Sequence, residues 1–393
     1  MTGIARKALL GAVAGALGFG ASLAGAADPY KIDVITSLTG GASFLGKGEQ
    51  QAMQLLEKSV NKSGGINGQP VEFTFYDDQS SPQVAVQLGS QLKAKNPAVI
   101  LGPSIVAMCN AAGPLMTNGP VMYCLSPGIH PAKGSYVFTS STSTYDLAKA
   151  LMRYFRSQGW KNIAIMTSSD ASGQDAERGL NEAAAMPENK DLKIVARAHF
   201  NITDVSVAAQ IENVKAANPQ AFIAWSTGAP IATVFKGIVQ AGLDVPTATT
   251  DGNMTYAQMK NYADFLPKQL YIASAAWAGY GYQKLDPKLE SVIKEFYDQY
   301  AAIGQKPDLP ASIGWNSALI VVDALKKLGP KAKAEQLRDY LVNLKGVPSI
   351  DGILDFPASP QRGLGLQDVV VTRWDPAKHT WVAVSQPGGQ PLK

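Results

Sequence analysis

The chain has 393 residues, 46% apolar and 17% charged, with 35 basic against 31 acidic side chains. At roughly 100–200 residues per domain this predicts two or three domains, each with enough apolar sequence for a core. The 37 Gly and 24 Pro are scattered, which excludes collagen-like and low-complexity chains, and a net charge of +4 is too small for a nucleic-acid-binding protein.

The first 27 residues read as an export signal. Arg6-Lys7 is followed by an uncharged run from Ala8 to Ala27 that ends in Ala24-Gly25-Ala26-Ala27 before Asp28-Pro29. A basic start, an apolar middle and an Ala-x-Ala end make a secretory signal peptide, with the cut after Ala26 or Ala27. A membrane anchor is the alternative, but the Gly/Ala content makes the run weakly hydrophobic. Without Arg6 and Lys7 the chain carries 33 basic and 31 acidic residues. No later apolar run reaches the ~20 residues needed to cross a bilayer, so the mature chain is expected to be soluble and periplasmic. That compartment permits a disulfide between Cys109 and Cys124, although a fold of this size does not require one.

From the mature start, strand-like and helix-like segments alternate. Lys31–Thr36, Val71–Tyr76, Ala98–Leu101 and Val121–Leu125 read as strands, with helices over Gly46–Ser63, Pro82–Lys95 and Ile105–Thr117 between them. The rhythm restarts with helices Tyr145–Gln158, Gln174–Ala185, Val205–Ala217 and Ile231–Ala241. These lead to strands Asn162–Thr167, Lys193–Ala198, Ala221–Trp225 and Pro246–Thr250. Cycles of about 20–35 residues are βα units, and two doubly wound α/β lobes are the simplest architecture. Beyond Leu285 the pattern turns helical (Pro287–Ala302, Ala311–Leu328, Ala334–Asn343) and closes with short strands near Gly352–Phe356, Asp368–Trp374 and Trp381–Val384. A helical return fits a chain that crosses back to complete its first lobe.

Motifs for catalysis are scarce. Gly41–Gly48 approaches a phosphate loop, but Gly48 stands where the magnesium-binding hydroxyl is needed. It reads as a Gly-rich strand-to-helix turn that presents N–H groups and the Ser43 hydroxyl. The three histidines, His130, His199 and His379, are far apart, and no cluster has metal-ligand spacing. No Gly-x-Ser-x-Gly elbow is present. No cofactor or metal is therefore expected. Polar and aromatic side chains do gather after strands, at Thr39–Leu45, Gly102–Val106, Leu125–His130, Ser168–Gly173, Ser226–Ala229 and Asp251–Asn253. Ligands of open α/β sheets sit at such strand ends.

These residues resemble the periplasmic ligand-binding proteins of branched-chain amino acid type ABC importers. The resemblance runs through Ile35–Gly40, Lys62-Ser63-Gly64-Gly65-Ile66-Asn67-Gly68, Tyr76-Asp77-Asp78 with Pro82, Leu101-Gly102-Pro103 and Leu125-Ser126-Pro127. It implies a type I periplasmic binding protein, two Rossmann-like lobes joined by three hinge crossings. The implied lobes are 28–141 with 277–355, and 142–276 with 356–393. It also implies a monomer that closes on a small carboxylate ligand and docks on an ABC permease in the inner membrane, without nucleic acid. The implied carboxylate loops hold Ser43, Phe44, Leu45, Ser104, Val106, Ser126, Ile129 and His130, while Ser172 and Thr227 face them from the second lobe. Asp251 falls where amino acid binders keep the acidic partner of the ammonium group.

Three departures bear on the ligand. Val106 and Ile129-His130 replace the usual hydroxyl residues, and Ser172 stands where a tyrosine commonly precedes the glycine. The expected ligand is accordingly bulkier than valine: an amino acid, or an aromatic or 2-oxo acid. His130 is expected to touch its carboxylate, and Trp225, Trp277, Tyr280 and Tyr282 are candidates to wall in a ring. Arg362 reads as a solvated loop residue, with the hinge as the alternative. A ligand-sensing receptor of the same fold is the second functional reading, and a secreted α/β hydrolase the third.

Overall fold

A computed structural model describes residues 28–392; the expected signal peptide lies outside them. The chain begins with β1 (Tyr30–Thr36), α1 (Ser43–Lys62), β2 (Val71–Asp77), α2 (Pro82–Ala94), β3 (Val99–Leu101), α3 (Val106–Ala112), β4 (Val121–Cys124) and β5 (Val137–Thr139). It then passes to α4 (Thr144–Ser157), β6 (Asn162–Ser168), α5 (Ala171–Ala185), β7 (Lys193–Phe200), α6 (Ala208–Ala216), β8 (Ala221–Trp225), α7 (Ile231–Gln240), β9 (Thr247–Thr249), α8 (Tyr256–Asn261) and β10 (Leu270–Ala275). It returns as α9 (Pro287–Ala301), α10 (Leu309–Leu328), α11 (Ala334–Val342) and the hairpin β11 (Lys345–Ser349) and β12 (Gly352–Asp355). The last passage leads to β13 (Val369–Asp375) and β14 (Thr380–Ala383).

The first sheet is parallel, in the order β2-β1-β3-β4-β5. The second runs β14-β13-β10-β9-β8-β6-β7, and its parallel part, β7-β6-β8-β9-β10, repeats the first order. β13 and β14 extend it antiparallel. The chain thus crosses between sheets after β5, after β10 and after β12. Both sheets change winding direction at one point, between β1 and β3 and between β6 and β8, and there a cleft opens at the strand ends.

Local chemistry fixes the helix starts. Ser81 caps α2, followed by Pro82 in its first turn, and Ser143, Asp170 and Asp308 cap α4, α5 and α10 with side-chain oxygens that accept first-turn N–H groups. α10 packs along α1, so the return segment completes the first lobe. Trp225, Trp277, Trp315, Phe138, Phe222 and Phe296 are wholly buried, each removing ~150–250 Å² from water. Of the strands named above, β5, β10 and β11 escaped the sequence reading, as did the short C-terminal hairpin Ser385–Gln386 with Gln390–Pro391. The expected helix from Val205 begins at Ala208, because Asp204 accepts the Asn201 N–H in a turn and Val205 is 96% exposed.

Cys109 of α3 and Cys124 at the end of β4 are joined as a disulfide, Cα atoms 6.1 Å apart. The bond ties together the loops after β3 and β4. Closing a loop of 15 residues stabilises by about 3 kcal/mol in the chain-entropy account. Reduction is expected to lower the calorimetric Tm by several degrees; an unchanged Tm with both thiols demonstrably free would refute this.

The crossings are laced to one another. The Thr139 N–H donates to the Gln361 carbonyl (3.0 Å), and the Gln361 side chain accepts from the Gly134 N–H and donates to the Ser135 carbonyl. Arg362, expected in solvent, is instead buried. Its guanidinium donates to the carbonyls of Ser141 (3.1 Å), Pro127 (3.0 Å) and Ile129 (2.7 Å), with Ser140 at 3.5 Å. Burial pulls its pKa down to about 10.

Candidate functional site

Two glycines bring helix N-termini against strand ends. A Cβ on Gly46 would fall on the Ser37 carbonyl after β1, and one on Gly173 on the Ser168 carbonyl after β6. The same device in each lobe sets α1 and α5 at the mouth of the cleft. Gly46 belongs to the run that approached a phosphate loop, and helix-to-strand approach is its structural role.

Between the lobes lies a narrow cavity. From the first lobe it is lined by Leu45, the Ser104–Ala107 loop, the Leu125–Gly128 loop, and Leu309 and Ile313 of α10. Thr144 lines it from the crossing, and Asp170, Ser172, Trp225, Thr227 and Thr250–Gly252 line it from the second lobe. Seven of the sequence candidates are thus brought together: Leu45, Ser104, Val106, Ser126, Ser172, Thr227 and Asp251. Trp225 joins them as the candidate wall aromatic. Thr144, Asp170, Thr250, Leu309 and Ile313 were missed. The Ser140–Thr144 hydroxyl run before a helix was a usable signal for Thr144, but nothing local marks the two α10 residues.

Hydroxyls and carboxyls line this mostly apolar space. The Ser172 and Thr227 hydroxyls are paired at 2.9 Å, and Ser126 Oγ lies 3.4 Å from the Gly128 N–H. Ser104 Oγ lies 2.6 Å from Glu49 Oε2. Asp251 is buried; its Oδ1 accepts from the Thr250 hydroxyl at 3.1 Å, and its Oδ2 has no partner. Desolvation pushes the Asp251 carboxyl up to about 7 against the opposing pull of Thr250 and the Gly252 N–H. A buried acid facing a cavity with one free oxygen can hold a donor: an ammonium, or a hydroxyl.

Five candidates lie off the cavity. His130 turns to the other lobe, where its Nε2 stands 2.9 Å from Oδ1 of wholly buried Asp175 on α5, and its ring lies 4.5 Å from that of Tyr145. It is the sole contact between a basic and an acidic side chain across the lobes among the described residues, and it corrects the reading of His130 as a carboxylate contact. Ile129 packs with Val106 and Cys124, its side chain drawn into the core as its carbonyl meets Arg362. Ser43 opens α1 beside the cleft. Phe44 faces an outer depression with Lys47 and Gln51, turned out by one step of the helix from inward Leu45. Tyr280 packs on Tyr297, centroids 4.8 Å apart, in a separate aromatic recess with Tyr256 and Tyr282.

The lobes also meet beside α10. The Leu309 N–H donates to the Met254 carbonyl at 3.1 Å, and the Tyr256 N–H to Asp308 Oδ2 at 3.3 Å. Among the described residues no group of three or more His, Cys, Asp or Glu could hold a metal, and no helix is long and apolar enough to cross a membrane.

A family model described as "Periplasmic binding protein" matches residues 29–380. The leucine-, isoleucine-, valine-, threonine- and alanine-binding protein of Pseudomonas aeruginosa is 22% identical over 328 residues, 81% of this chain and 84% of that protein. Among solved structures, the isoleucine complex of the branched-chain amino acid transporter substrate binding protein LivJ from Streptococcus pneumoniae superposes with a TM-score of 0.76 at 18% identity, covering 91% of this chain and 99% of that one. A solute binding protein of an ABC transporter from Rhodopseudomonas palustris, in complex with 3,4-dihydroxybenzoic acid, superposes with a TM-score of 0.71 at 21% identity, covering 91% and 96%.

Proposed function

We propose, from the premise that the chain belongs to the periplasmic binding protein family, that it is the solute receptor of an ABC importer for a small carboxylate bearing a hydrogen-bond donor, foremost an α-amino acid. It is a binding protein and not an enzyme, and the family places it outside the cytoplasm. The observation that carries the ligand reading is Asp251, buried at the cavity with Oδ2 unpaired. The carboxylate end is assigned to the Ser104–Ala107 and Ser126–Gly128 loops of the first lobe. The two lobes, 28–141 with 277–355 and 142–276 with 356–393, close on the ligand as a monomer and present the closed face to a permease. Contacts made to both lobes bias the hinge toward closure.

An aromatic acid is the second reading. Small Ser172 beside Trp225 at the cavity favours it, and the two similar structures with bound ligands span both classes. Mass action provides the test, since a ligand that binds only the folded chain raises its Tm. Leucine, 4-methyl-2-oxopentanoate and 3,4-dihydroxybenzoate are titrated by thermal shift, and at least one is expected to raise Tm by several degrees at millimolar concentration. No shift with any of the three would sink the carboxylate reading.

A further inference from the structure

Behind Ser104, out of the ligand's reach, lies a carboxyl with no counter-charge. Glu49 of α1 is wholly buried, with its backbone pressed against Gly314 of α10. Its Oε2 lies 2.6 Å from Ser104 Oγ and 2.8 Å from Thr36 Oγ1, and those two hydroxyls are 2.8 Å from each other. Oε1 has no partner. No Lys, Arg or His pairs with Glu49 among the described residues. The charged group that faces it is another acid, Asp78, held by the Ser37 hydroxyl and the Ser80 N–H.

Counting protons decides the state of this triangle. Three oxygens make three contacts of O–H···O length, and each contact needs one proton. Thr36 and Ser104 bring one each, so all three contacts are bonded at once only while Glu49 carries the third. An ionised Glu49 would draw both hydroxyl protons to Oε2 and leave two lone pairs facing each other across the remaining edge. Burial works in the same direction, pushing the Glu49 carboxyl up to about 7, and the Asp78 charge adds to it.

We propose that Glu49 is a positioning residue that sets the direction of the Ser104 hydroxyl, so that a carboxylate binding beside Ser104 loads one proton onto Glu49. This rests on the carboxylate reading given above. When protonated, Glu49 donates from Oε2 to Ser104 Oγ, and the Ser104 proton can turn to the ligand anion, the bond to the ligand replacing the one to Thr36. When ionised, Glu49 holds the Ser104 proton for itself, and the cavity meets a lone pair backed by a negative charge. The balance is one ligand anion and one solvent proton bound together, with no other group changing its proton at this end of the site.

The test is calorimetry of whichever of leucine, 4-methyl-2-oxopentanoate and 3,4-dihydroxybenzoate binds. At pH 8 each titration is run in two buffers of different ionisation heat, which gives the protons taken up per ligand. The native chain is expected to take up close to one proton more than Glu49→Gln, and its affinity to lose up to tenfold per pH unit above about 7 relative to that variant. Glu49→Gln keeps a donor toward Ser104 and is expected to bind within a few-fold of the native affinity at pH 6. Ser104→Ala, which keeps the carboxyl and removes the group it acts through, loses the same uptake. Equal proton numbers in all three proteins with a bound ligand overturn the proposal alone. Failure of all three acids to bind overturns it together with the carboxylate reading.

Discussion

Asp251→Asn lowers the affinity for an α-amino acid by at least ~30-fold and leaves that for the corresponding 2-oxo acid within about threefold. Removing one member of a buried, hydrogen-bonded charge pair costs about 2–5 kcal/mol, and Asp251 meets those conditions: buried, at the cavity, one oxygen free. An oxo acid brings no ammonium to strand. The pH profile separates the ligand classes as well. With its carboxyl pushed up to about 7, Asp251 must release a proton to hold an ammonium, so amino acid affinity rises with pH up to about 7, above which the loss at Glu49 sets in. An oxo acid shows no such rising limb. Isothermal titration between pH 5.5 and 8.5 reads both signs, and equal losses for the two ligands on Asp251→Asn would refute the ammonium-partner assignment.

His130→Ala is expected to weaken ligand binding by about five- to tenfold while leaving the Tm of the ligand-free chain within about a degree. The Nε2 contact at 2.9 Å to Asp175 joins the lobes, so it exists only when they meet. A hydrogen bond to a charged group contributes about 1.5–3 kcal/mol. The His130 side chain is 41% exposed, which reduces that to about 1 kcal/mol. Asp175 also accepts from Arg178 of its own helix, at 3.1 Å, a contact that does not depend on the other lobe. The loss therefore falls on closure, and stopped-flow dissociation should show it as a faster off-rate. A drop in Tm of equal size with and without ligand would mean that the contact holds the fold and not the closed state.

Much of the cleft was legible because strand ends of open α/β sheets are where ligands gather. Ser104, Ser126, Thr227 and Asp251 sit there by topology alone, before any side chain is placed. Leu309 and Ile313 were not legible: α10 arrives from a distant part of the chain, and only its packing on α1 aims them inward. β10 was missed because Leu270–Ala275 is buried on both faces, so it lacks the alternation that marks a half-buried strand, and its Ala and Ser residues have little strand preference. His130 was read to the right loop and the wrong partner, since that partner belongs to the opposite lobe. Arg362 looked like loop chemistry in Gln361-Arg362-Gly363; the carbonyls that bury it come from the first crossing and from the loop after β4.

That guanidinium also gears the hinge to the ligand loop. Arg362, in the third crossing, meets the Ser141 carbonyl in the first, and it also grips the Pro127 and Ile129 carbonyls, next to the Ser126 and Gly128 that line the cavity. Two crossings joined in this way bend together, as one leaf spring. A force that bends the spring is delivered to the floor of the cavity through one residue. Prying the lobes apart and loosening this wall of the cavity are then a single stroke.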